Sequence, residues 1–218
     1  MKLLVFDTET TGLPKSRTPA TDQPNNWPHL VSISWVILDN NIITKQRNYI
    51  IKPENWIIPD DSIEIHGITN ELAHTKGHSL VNVMSEFMEE KCDIIVAHNI
   101  DFDYNVITNA IKWDLKFDFK GFNTPMKCTM QLSRDHCKIP SKFGYKVPKL
   151  KELYEFIFKR KPNEKQLHSS LYDTIILTEC IQHCNWLQAA LGLPVSNTNL
   201  DNGIHKSRTI TFNFNETN

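Results

Sequence analysis

The sequence predicts an α/β fold, a sandwich in which helices cover a central mixed sheet. Three observations carry this. Strand-like segments crowd the first fifty residues: KLLVF at 2–6, HLVSISWVIL at 29–38 and IITKQRNYII at 42–51. Helical apolar periodicity dominates after residue 79, interrupted by one further strand-like run at Ile94–Val96. Strands first, then strand and helix in alternation, is the order of a mixed sheet between helices.

Residues 2–6 read as a buried strand. Pro19, Pro24 and Pro28 among polar neighbours mark 15–28 as a long exposed loop. The next two strands are joined by the turn signal Asp39-Asn40-Asn41, so the first three strands form a meander. Leu80, Val83, Met84, Phe87 and Met88 follow helical spacing, with Ser79 as the expected cap. Ile94–Val96 is a central strand, and Val106, Ile107, Ala110 and Ile111 define the helix after it. Residues 114–128 read as a connection containing a short strand, and helices are expected near 129–136 and 149–158. A last helix is expected from about 170 to 191, ending before Gly192 and Pro194. This gives one domain over 1–192. The polar remainder, 193–218, is expected to be a flexible or partner-docking tail, with alternating Ile210, Phe212 and Phe214 open to a short docking strand.

Composition narrows the function classes. Hydrophobic content of 40% and charged content of 22% are ordinary for a soluble globular chain. No apolar run approaches the ~20 residues of a membrane span, so no membrane partner is expected. The opening MKLLVFDTETTG places Asp7 and Glu9 where a signal peptide needs an apolar stretch, and it reads as mature structure. Five irregularly spaced cysteines point to a reducing intracellular compartment rather than a disulfide framework. Net charge is −1, yet 142–165 carries eight basic residues against three glutamates, either a solvated face or a phosphate-tracking edge.

The acids carry the chemistry. Asp7 and Glu9 lie two apart at the end of a strand, hence on one face. Paired carboxylates at a buried strand end repel each other and lose hydration. They are either turn acids, since Thr10-Thr11-Gly12-Leu13 offers turn chemistry, or ligands of a hard cation. Asp103 shares the stripe of Val106, Ile107, Ala110 and Ile111, so it faces the core, whereas Asp101 lies about 200° round the helix. Asp173 likewise heads the stripe Ile176, Leu177, Cys180, Ile181, Cys184 and Leu187. One such acid could be a satisfied buried aspartate. Two, together with the strand-end pair, point to shared cations. His168, five residues before Asp173, is out of phase with it and is placed in the preceding loop, as a structural histidine or as a base. Cys180, His183 and Cys184 read as core rather than zinc ligands, and Cys128, His136 and Cys137 lack a fourth ligand in register.

Together these segments resemble the DnaQ-like DEDDh 3′→5′ exonucleases of the RNase H-like fold. FDTETTGLP at 6–14 matches the first motif, AHNIDFD at 97–103 the second, and HSSLYD at 168–173 the third. EIHGIT at 64–69 resembles a further segment whose histidine, here His66, approaches the substrate. The resemblance spans 3–190 and implies a three-layer sandwich on a five-stranded mixed sheet. It implies hydrolysis by Asp7, Glu9, Asp103, His168 and Asp173, with the four acids binding two Mg²⁺ or Mn²⁺ ions. It also implies substrate contacts from Thr8, Thr10, Leu13, Asp61, His66, Asn99 and Phe102, Leu13 stacking or wedging at the last bases. The expected partner is a nucleic acid with a free 3′ end, single-stranded DNA favoured, with a DNA polymerase open as a further one. An RNA-trimming enzyme and a non-catalytic polymerase-associated module are the alternatives.

Overall fold

The computed structural model describes residues 1–194. Of the tail expected over 193–218, Leu193 is instead buried in the core, and residues 195–218, with the alternating apolar residues, lie outside the described residues. β1 (Lys2–Thr10), β2 (Leu30–Asp39) and β3 (Ile42–Ile50) form the meander. β4 (Ile94–Ala97) and β5 (Met126–Cys128) complete a five-stranded sheet in the order β3-β2-β1-β4-β5. The β3-β2-β1 side is antiparallel, and β1, β4 and β5 are parallel.

Alternation along the strands divides the core. Leu4, Phe6, Ile33 and Trp35 face one layer, with Val83, Met84 and Phe87 of α3 (Leu80–Glu89) and Val106 and Ile107 of α4 (Ile100–Asn109). Leu3, Val5, Val36 and Leu38 face the other, built from α6 (Leu150–Phe158), α7 (Ser170–His183) and α8 (Asn185–Leu191). Both faces of β1 are covered, which is why its apolar run is unbroken.

The remaining elements are short. α1 (Asp60–His66) and α2 (Asn70–Lys76) lie between β3 and α3, α5 (Thr129–Cys137) follows β5, and β6 (Ile139–Ser141) pairs with β7 (Gly144–Lys146) as a separate hairpin. Sequence periodicity gives no sign of α1 and α2, because seven residues hold too few turns for a stripe. Three expectations need correction. The helix expected over 170–191 breaks at Cys184 (φ −118°, ψ 101°), where the Gln182 carbonyl instead accepts from the Asn41 and Gln188 side chains. The apolar stripe runs on across that break, so periodicity could not reveal it. Ser79 stands at the α3 N-cap without a capping side-chain bond, and Met88 is 43% exposed rather than on the buried stripe.

Candidate active site

The site lies where parallel β1 and β4 end. β4 pairs with β1 only from Leu3 to Val5, so β1 runs on alone on that side, and Asp7 and Glu9 project beyond the end of β4. Carboxyl ends of adjacent parallel strands are the usual crevice of open α/β sheets. Beyond β4 the chain turns through Asn99, whose left-handed backbone (φ 79°) suits asparagine better than most residues. That turn starts α4 and brings Asp103 into its first turn, 3% exposed. Thr8 lies on the α4 side of β1, and its hydroxyl donates to Asp103 Oδ1 at 2.7 Å. Thr8, expected at the substrate, is therefore buried behind the acids and holds one of them.

Asp173 arrives from the opposite layer. Ser34 and Ser32 of β2 stand opposite Asp7 and Glu9 in register. The hydroxyls of both serines lie 2.9 Å from Ser170 Oγ, and Thr174 Oγ1 donates to the Ser34 carbonyl at 3.2 Å. These contacts dock the first turn of α7 directly on the sheet. Oxygens of Asp7, Glu9 and Asp173 consequently converge within 4.8 Å of one another. Asp103 is not part of that tight trio, but it is the largest charge acting on Asp7. The serine contacts were not read from the sequence. Their signal was two hydroxyls alternating in the otherwise apolar VSIS.

Electrostatics identify what the cluster lacks. Burial raises Asp7 well above the ordinary carboxylate range, and the charges of Asp103, Asp173 and Glu9 raise it further. Burial, then Asp173 and Asp103, push Glu9 up to about 8. Burial pushes Asp103 up to about 7 against the opposing Thr8 hydrogen bond, and Asp173 up to about 7 against the backbone N–H of His168. Asp173 Oδ1 is buried with no hydrogen-bond partner. An all-oxygen donor set with an orphaned carboxylate oxygen fits a hard divalent cation such as Mg²⁺ or Mn²⁺.

A stability prediction follows for the metal-free chain. These acids keep protons in the folded state that the unfolded chain has released. Their contribution is full below pH ~4 and is lost as pH rises towards about 8. The metal-free melting temperature should drop by several degrees from pH 5.5 to pH 8.5. Glu9→Gln should flatten that drop, and an unchanged slope in the variant would contradict the assignment.

His168 sits in the loop before α7, exposed and with a left-handed backbone (φ 64°). Its N–H donates to Asp173 Oδ2 at 3.2 Å, so the backbone steadies the acid while the imidazole stays free. A cleft of about 380 Å³ separates the end of α1 from residues 165–172, and both His66 and His168 line it. His66 Nδ1 accepts from the Ile68 N–H at 3.1 Å, and burial lowers its pKa. Leu13 is 82% exposed on the turn after β1, which Thr10 Oγ1 braces by donating to the Gly12 carbonyl at 2.7 Å. Phe102 packs on Trp27 at 5.7 Å, and Asn99 is exposed at the head of α4. Asp61 is exposed at the far end of α1 and does not line the cleft with His66. Trp56 stacks on His29 at 5.0 Å.

Asp101 faces solvent, two residues before the buried Asp103. Asp101→Asn should retain most hydrolytic activity and Asp103→Asn should lose most of it. Equal losses in a steady-state assay would contradict the helix-phase argument.

Among the described residues, the acid trio is the one group of three or more histidine, cysteine or acidic side chains close enough to hold an ion, so Cys180 and Cys184 remain core residues.

The family model for Exonuclease (RNase_T) matches residues 4–180. The PolC-type DNA polymerase III of Thermotoga maritima is 33% identical over 139 residues, 63% of this chain and 9% of that protein. Its counterpart from Thermotoga petrophila is 32% identical over the same length, so the chain spans under a tenth of these relatives. Exonuclease X in complex with 5′ overhanging duplex DNA shares the fold at 21% identity and TM-score 0.59, covering 88% of this chain and 95% of that one. E. coli Exonuclease I in a zinc-bound complex with single-stranded DNA does so at 16% and 0.65, covering 88% and 42%. The nuclease domain of 3′hExo, a DEDDh family member bound to rAMP, does so at 14% and 0.63, covering 89% and 94%. With Asp7 and Glu9 on β1 of a five-stranded mixed sheet, and Asp103, His168 and Asp173 following on α4, in the loop before α7 and on α7, the chain belongs to the RNase_T exonuclease family.

Proposed function

We propose that this chain is a metal-dependent 3′→5′ exonuclease that removes nucleoside 5′-monophosphates from single-stranded DNA. The observation that carries the reading is the convergence of Asp7, Glu9 and Asp173, with Asp103 behind them and the exposed His168 beside them. Two Mg²⁺ or Mn²⁺ ions held by these acids would supply an acidified water and neutralise the leaving oxygen. His168 would take a proton from the attacking water. The water oxygen bonds to phosphorus, the bond from phosphorus to the preceding 3′ oxygen breaks, and that oxygen takes a proton from solvent to leave a shortened strand with a new 3′ hydroxyl. Leu13 is placed to wedge against the terminal bases, and His66 borders the cleft that receives them.

DNA is favoured because Exonuclease X and E. coli Exonuclease I are DNA complexes. An RNA-trimming reading draws on the rAMP bound to 3′hExo. Similarity to PolC-type polymerases supports a DNA polymerase as partner and a proofreading role. Five free cysteines support a reducing intracellular setting. A non-catalytic module is disfavoured by the intact set of acids. A gel time course with 5′- or 3′-labelled single-stranded DNA, duplex DNA and RNA, with Mg²⁺ or chelator, tests the proposal. The 5′-labelled single-stranded DNA should shorten stepwise only with metal, and the 3′ label should be released at once as mononucleotide. Internal cuts, or activity that survives chelation, would refute it.

A further inference from the structure

The β6–β7 hairpin presents a surface that the carboxylate site leaves unused. From His136 to Lys151 the chain carries five lysines and no acid. Gly144 takes a left-handed backbone at the turn (φ 106°), and its carbonyl accepts from the Ser141 hydroxyl at 2.9 Å, which fixes the loop. Phe143 is held 89% exposed there and Tyr145 50% exposed, two positions on. Lys142 Nζ lies 5.3 Å from the centre of the Phe143 ring. Single exposed apolar residues are commonplace, but two aromatic rings set among lysines on one braced turn are not scattered.

The hairpin is tied to the edge that carries the acids. Lys146 Nζ pairs with Glu152 at 2.6 Å, fixing its base to α6. His98, which joins β4 to Asn99, meets the Pro148 carbonyl through Nε2 at 2.9 Å. Five residues separate Phe143 from Pro148, at most roughly 17 Å of extended chain. The contact of His98 with Pro148 ties the base of the hairpin to the turn leading into α4, whose first turn holds Asp103.

We propose that this hairpin docks single-stranded nucleic acid, with Phe143 and Tyr145 stacking on bases and Lys142 meeting phosphates of the strand upstream of the cleaved end. The inference rests on the exonuclease reading for what the bound strand is doing there. The chemistry favours a single strand, because its base faces are free to stack whereas those of a duplex are stacked inside. With Lys146 paired to Glu152, the charges of Lys138, Lys142, Lys149 and Lys151 complement a polyanion and oppose a basic partner.

Fluorescence anisotropy of a labelled twelve-nucleotide single strand, on the full chain in chelator, tests the docking without turnover. Phe143→Ala with Tyr145→Ala removes two stacking rings and should weaken binding by about thirty-fold or more. Lys142→Ala should lower the salt slope by about one. Hydrolysis of the p-nitrophenyl ester of thymidine 5′-monophosphate, too small to reach the hairpin, should be unchanged in the double variant with Mn²⁺. Equal strand affinity in wild type and double variant overturns the proposal. So does a wild-type dimer that the double variant dissociates in sedimentation while strand affinity holds, since a second copy then covers the hairpin. A wild-type chain that hydrolyses nothing, yet loses strand binding on the double substitution, sinks the nuclease reading and upholds the hairpin.

Discussion

Asp7→Ala and Asp173→Ala are each expected to lower exonuclease turnover by on the order of 10³-fold or more while leaving the chain folded. The magnitude follows from what each residue does. Burial and the charges of Asp103, Asp173 and Glu9 all raise Asp7, so it sits among the other three acids. Asp173 supplies a carboxylate oxygen that is buried with no hydrogen-bond partner. Loss of either takes away a cation ligand, and with it both the activated water and the stabilised leaving oxygen. Folding should survive because neither side chain belongs to an apolar cluster. Without metal, removing one of several repelling buried carboxylates should hold or raise stability near neutral pH. Activity assays paired with circular dichroism and thermal melts check both halves. Unfolded variants would mean that these acids serve structure instead.

His168→Ala is expected to cost about 10²–10⁴-fold in kcat, the range for a positioned general base, with little change in KM. Its backbone N–H to Asp173 is kept in the variant, so metal affinity should be unchanged. His168→Asn is the cleaner control, because asparagine tolerates the left-handed backbone at this position. Both variants should bind Mn²⁺ like wild type and share the kcat loss, and added imidazole should restore part of it. A variant that loses Mn²⁺ along with activity would make His168 a positioning residue for Asp173.

Much of the site was legible because each acid breaks a periodic rule. Asp7 and Glu9 share one face of a strand whose residues from Leu3 to Phe6 are wholly apolar. Asp103 and Asp173 each head a core-facing stripe where a charge is expensive, and phase alone separated Asp103 from Asp101. His168 was placed off the helix by the same arithmetic. What was missed depends on contacts between distant segments. Thr8 reads as a residue between two catalytic acids, and only the packing of α4 under β1 turns it into a donor for Asp103. Ser32, Ser34 and Ser170 are unremarkable hydroxyls until β2 and α7 meet. The meander was legible from its turn signal and the five-stranded sheet was implied by the resemblance, whereas the strand order emerges only in the fold and α1, α2 and the β6–β7 hairpin are too short to leave a period. The break at Cys184 stayed hidden because Leu187 keeps the buried stripe going into α8.

Calorimetric titration of Mn²⁺ into the chelator-stripped protein near pH 8, in wild type and in Asp7→Ala, tests the central claim most directly. Saturable Mn²⁺ binding with proton release in wild type, nearly absent in Asp7→Ala, is the expected result. Equal binding in the two proteins, or none in wild type, would contradict a cation cage at the end of β1.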